Sequence, residues 1–133
     1  MWARGTHAQN TALGRHVPTY AYEFADRDAP MYPPVEASAF DFGAYHASDT
    51  PYVFEEKAVH DRFTPAQARL ADAITDYWAT FAATGRPGGR GLVPWPAHVP
   101  GSPAPHTQSL APGAITSVDY VAGHNLDFWR RLG

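Results

Sequence analysis

The hydrophobic pattern is uneven along the chain. Its strongest periodicity lies between residues 65 and 84, where Leu70, Ile74, Tyr77, Trp78 and Phe81 recur at helical spacing. Asp72, Thr75, Asp76 and Thr80 fall largely on the opposite side. Thr64 before Pro65, with Gln67 three residues on, is the pattern of a capped helix start, and Gly85 followed by Pro87 ends the helix. A second signal is Val17-Pro18-Thr19-Tyr20-Ala21-Tyr22-Glu23-Phe24, rich in β-formers, which predicts a strand over 17–24 with Pro18 at its start. Tyr20, Tyr22 and Phe24 share one face. The other face, with Val17, Thr19, Ala21 and Glu23, is small rather than polar, which suits a strand covered on both sides in a mostly parallel sheet.

Weaker signals fill the rest. Residues 7–15 read as a short helix or helix end, and 25–45 as a loop carrying Pro30, Pro33, Pro34 and Gly43. Residues 49–54 read as one turn of helix with Asp49 as its cap. Two short strands are expected at 107–110 and 114–118 around the Pro112-Gly113 turn, and a terminal helix over 120–132 with Val121, Leu126, Phe128, Trp129 and Leu132 as its apolar positions. The thirteen prolines and eleven glycines concentrate in irregular stretches at 25–51 and 85–114. Irregular backbone of that length normally lies over a scaffold, and one strong helix and one strong strand supply little of it.

Composition narrows the function classes. A length of 133 residues fits one domain, and 44% hydrophobic with 17% charged residues is globular. A formal net charge of -3, with nine arginines and the single lysine Lys57, gives no basic face for nucleic acid. The absence of cysteine excludes disulfides, thiol nucleophiles and cysteine metal sites. No apolar run is long enough to cross a bilayer, and the first seven residues lack the apolar core of a signal peptide, so a cytoplasmic chain is expected. The seven histidines show none of the close spacings of metal ligands, and no metal or cofactor is expected. None of the serines, Ser38, Ser48, Ser102, Ser109 and Ser117, sits in a Gly-x-Ser-x-Gly elbow.

Three stretches carry a resemblance. They are Val17–Phe24 with Ala25-Asp26-Arg27; Phe42-Gly43-Ala44-Tyr45-His46-Ala47-Ser48-Asp49-Thr50-Pro51-Tyr52-Val53-Phe54; and Asp76-Tyr77-Trp78-Ala79-Thr80-Phe81-Ala82-Ala83-Thr84-Gly85 followed by Pro94-Trp95-Pro96. In order and spacing they resemble the end of type-B carboxylesterases, the family of cholinesterases and p-nitrobenzyl esterases. The first is similar to that family's last core strand, the second to its histidine loop, and the third to its Tyr-Trp-x-x-Phe-x-x-Thr-Gly helix end with a downstream Trp-Pro. Asp49 stands where the family often has Glu. The likeness spans roughly residues 8–133.

The resemblance implies an α/β class. Residues 1–133 would form the C-terminal segment of an α/β-hydrolase domain, with a last core strand, a histidine loop, a long amphipathic helix, a peripheral hairpin and a terminal helix. It makes His46 the catalytic histidine of a Ser-His-Glu/Asp triad whose serine, acid and oxyanion loop lie upstream of the matching stretches. The complete enzyme would hydrolyse carboxylic esters through an acyl-serine. The implied partners are an ester substrate and the N-terminal portion of the same domain, with neither nucleic acid nor membrane. This chain alone would be inactive. A non-enzymatic interaction protein of the same superfamily is the rival reading. Asp26, Asp28 and Asp41 are expected as solvated turn residues and Ser48 as a cap on the following turn. Tyr45 and Phe42 are either pocket or core, and Tyr77, Trp78 and Phe81 are core anchors.

Overall fold

A computed structural model describes residues 2–31, 40–54 and 56–132. The chain divides into two compact units. One comprises Met1–Glu23, Trp95–Ser109 and Thr116–Gly133; the other comprises Phe24–Pro94 and Leu110–Ile115. Of the loop prolines and serines named above, Pro33, Pro34 and Ser38 lie outside the described residues.

The first unit opens with helix α1, Trp2–Gly14, longer than the helix end its sequence suggested. The expected strand is shorter: only Tyr22–Phe24 forms β1. The reason is where the preceding backbone finds partners. The Thr19 carbonyl accepts from the His98 amide at 2.7 Å, and the Ala21 carbonyl accepts from the Trp95 indole at 3.2 Å and from the Gln108 amide at 2.9 Å. Pro18 has no amide to give. Trp95 and His98 thus serve as partners of residues 19–21, with Trp95 buried and its ring edge-on to Tyr22. Tyr22 remains 37% exposed, so the expectation of cover on both faces does not hold at that position.

The predicted terminal helix is broken in two, α5 at Tyr120–Gly123 and α6 at Leu126–Arg131. Asp119 caps α5 by accepting from the Ala122 amide at 3.0 Å. Asn125 then adopts a left-handed φ of 51°, which interrupts the helix and is a conformation asparagine tolerates better than most residues. Leu126 is the buried anchor of α6, whereas Phe128 and Leu132 are exposed.

Helix α4, Pro65–Thr84, dominates the second unit and matches its sequence signals at both ends. The Thr64 hydroxyl accepts from the Gln67 amide, and the Gln67 side-chain oxygen accepts from the Thr64 amide at 2.8 Å. Gly85 closes the helix at a left-handed φ of 75°, donating to the Phe81 carbonyl at 2.7 Å. Leu70, Ala71, Ala73, Ile74 and Tyr77 are buried. The Tyr77 phenol donates to the Val93 carbonyl at 2.6 Å, so its polar tip is satisfied within the core, and burial raises its pKa. Trp78 is half-buried and Phe81 is 47% exposed, so the last turn of the predicted core face lies outside it. Two short helices precede α4: α2, Thr50–Val53, which packs on it, and α3, Lys57–His60.

The hairpin forms as read from the sequence, with β2 at Thr107–Ala111 and β3 at Ala114–Val118. Gly113 takes the left-handed conformation after Pro112. The three strands pair in the order β1-β2-β3. The hydrogen bonds from Gln108 to Ala21 and from Ala25 to Leu110 advance together along both strands, which makes the β1–β2 pairing parallel.

Candidate functional site

His46 lies in the second unit, on a turn between the loop that leaves β1 and the start of α2, and its side chain is exposed. The turn is built from short-range backbone bonds: Tyr45 to Gly43 at 3.0 Å, Ser48 to Tyr45 at 3.1 Å and Thr50 to Ala47 at 3.1 Å. Gly43 has a φ of 57°, and Ala47, directly after the histidine, has a φ of 67°. A residue with a β-carbon in that region is strained and persists only where its surroundings over-determine it.

Several expectations for this segment change. Asp49 stands at the N-cap position of α2, yet its side chain makes no capping hydrogen bond. Ser48 does not cap the turn either: it is 2% exposed, and its hydroxyl has no hydrogen-bond partner among the described residues. Phe42 is exposed and stacks obliquely on Phe40 with ring centroids 4.5 Å apart. Tyr45 is half-buried and donates to the Pro30 carbonyl at 3.0 Å, a fixing role and not simple core packing.

The three acidic candidates separate. Asp28 is exposed. Asp41 is exposed and pairs with Arg27 at 2.6 Å while accepting from the Gly43 amide at 2.7 Å. The Gly43 amide first, and then Arg27, hold its carboxyl below the ordinary carboxylate range. Asp26 departs from the solvated turn role expected of it, being 3% exposed. It accepts from the Tyr52 phenol, from the Gln67 side-chain amide at 2.9 Å and from the Asp28 backbone amide at 3.0 Å. Burial first, and then the bond to Asp26, push the Tyr52 pKa well above its ordinary value, so the phenol stays a donor. Tyr52 also packs edge-on to Phe24 and obliquely against Phe63, at 4.9 and 4.5 Å between centroids.

This buried cluster does not announce itself in the sequence. Gln67 was recognisable only as half of a capping box, and Tyr52 only as part of the histidine loop. Their convergence on Asp26 spans 41 and 26 residues of chain and has no local signature. Among the described residues, no three His, Cys, Asp or Glu side chains converge into a metal-binding group, and no helix is long and apolar enough to cross a membrane.

Comparison with known proteins places these features in context. The profile of the carboxylesterase family matches residues 2–129. The chain is 34% identical over 79 residues to a medium-chain fatty acyl-CoA hydrolase precursor of Anas platyrhynchos, covering 59% of this chain and 14% of that protein. It is 36% identical over 82 residues to the human bile salt-activated lipase, covering 60% of this chain and 10% of that one. Among solved structures, a PNB esterase superposes with a TM-score of 0.70 at 25% identity over 90% of this chain and 23% of its own. An esterase from Clostridium hathewayi superposes with a TM-score of 0.69 at 19% identity, covering 92% of this chain and 23% of its own, a likeness of fold.

Proposed function

The chain belongs to the carboxylesterase family, and on that premise we propose that it is the C-terminal portion of a serine esterase in which His46 is the general base. The observation that carries this reading is the placement of His46: an exposed imidazole on a constrained turn beyond the end of β1, inside the stretch matched to the family. Because the chain spans only 10–14% of the two curated relatives described above, the reaction belongs to a longer assembly.

In that assembly a serine hydroxyl from the upstream portion attacks the ester carbonyl, and His46 takes its proton. The tetrahedral intermediate collapses to an acyl-serine as His46 returns that proton to the departing alcohol. Water repeats the sequence and releases the acid. An upstream carboxylate would orient the imidazole, and upstream backbone amides would hold the oxyanion. The acyl-serine route itself uses no metal or cofactor.

The test follows from this division of labour. The 133-residue chain alone should give no saturable turnover of p-nitrophenyl acetate and no fluorophosphonate labelling. Co-expression with an upstream portion carrying a Gly-x-Ser-x-Gly elbow should restore both, and His46→Ala should then abolish turnover. Stoichiometric labelling of the isolated chain, or full turnover by the reconstituted His46→Ala protein, would overturn the reading.

A further inference from the structure

We propose that Asp26 is the hub of a clamp that positions His46. This rests on the reading of His46 as general base. The observations are the bonds that converge on the segment 26–30, immediately after β1. Tyr45, the residue before His46, donates to the Pro30 carbonyl at 3.0 Å. Tyr52, six residues after His46, donates its phenol to the buried Asp26 carboxyl. Gln67, in the first turn of α4, donates to Asp26 at 2.9 Å and to the Asp28 carbonyl at 3.1 Å. The histidine turn is therefore held on both flanks by one segment, and that segment is tied to the longest helix of the unit.

The chemistry of the hub explains why an acid is needed there. Among the described residues, three donors point at Asp26: a phenol, a carboxamide and a backbone amide. A carboxylate offers acceptors on both oxygens, whereas an asparagine presents an amide to at least one of those donors. Tyr52 and Asp26 are 1% and 3% exposed, so water does not readily replace a lost bond. The clamp also accounts for the left-handed Ala47 beside His46. A strained turn keeps its shape because both flanks are fixed. Asp26 touches no reacting atom in this scheme and is a positioning residue.

The test compares Asp26→Asn, Tyr52→Phe and His46→Ala in the enzyme reconstituted with its upstream portion. Asp26→Asn is expected to lower kcat on the order of 10²-fold, the scale of a misplaced catalytic group, with KM changed little. Tyr52→Phe, which removes one donor and keeps the ring packing, should lower kcat less. If His46→Ala abolishes turnover while Asp26→Asn stays within twofold in kcat, the clamp is wrong and the general-base reading stands. If His46→Ala leaves turnover intact, the general-base reading is wrong. The isolated chain gives a second readout that needs no reconstitution, from the histidine ring resonances. Asp26→Asn and Tyr52→Phe should shift or broaden those of His46 and leave His7 and His124, in the other unit, in place. Unchanged His46 resonances in both variants, or equal perturbation of all three histidines in both, would overturn the proposal.

Discussion

At the scale of single residues, the histidine turn depends on contacts that differ sharply in kind. Asp41 is exposed, and its carboxyl is held low by the Gly43 amide and then by Arg27. A carboxyl whose pKa is depressed on folding contributes stability above its ordinary range near pH 4, and loses it as pH falls through the lower folded value. The Arg27–Asp41 tie should therefore be complete at neutral pH and fade only in acid. In Arg27→Gln, an NMR titration of the Asp41 carboxyl should show its midpoint rising yet staying below the ordinary range, because the hydrogen bond from the Gly43 amide remains. A midpoint that did not move would mean the guanidinium contributes nothing. The sequence offers His46 as a candidate through its flanking glycine and aromatic residues. It did not display that Asp26 is buried while Asp28, two positions on, is exposed. Two aspartates in one turn look alike until the partners arriving from elsewhere in the chain are known.

At the scale of elements, legibility followed how local the determining contacts are. Both ends of α4 were readable because its cap, its first proline and its terminal glycine act within a few residues. The terminal helix reads as continuous in the sequence because Asn125 looks helix-compatible, and only its φ of 51° reveals the break. The strand over 17–24 shrank because the Thr19 carbonyl goes to the His98 amide and the Trp95 indole reaches the Ala21 carbonyl, partners that lie outside any strand and more than 70 positions away. Gln67 combines the two regimes, since it completes the cap of α4 and also donates to Asp26 and the Asp28 carbonyl. Thr64→Ala should cost about 1 kcal/mol, the usual value of an N-cap. Gln67→Ala should cost more, about 1–3 kcal/mol, since it also removes a donor from a buried acceptor. Denaturant melts of the two variants should preserve that order, and equal costs would show that the second role of Gln67 has no energetic content.

At the scale of the whole molecule, the family likeness was readable because it rests on three stretches in fixed order and does not depend on the exact extent of any strand. Their spacing survives the shortening of β1 and the break in the last helix. The tertiary ties are another matter, and their chain separations set an order in time. Helix α4 is held by bonds four residues apart, whereas the Asp26 clamp joins residues 26 and 41 positions apart. Long loops must be closed before such contacts contribute anything, so they form later than helical turns. In refolding followed by pulsed hydrogen exchange, the amides of α4 should gain protection before those of Ser48, Thr50 and Tyr52, whose three-residue turn bonds are secured only when the clamp closes. Simultaneous protection would refute that sequence of events. A chain caught midway through folding would hold its longest helix already wound while the imidazole still swung on a loose tether. The geometry that the proposed proton transfer needs would be the last thing folding delivers.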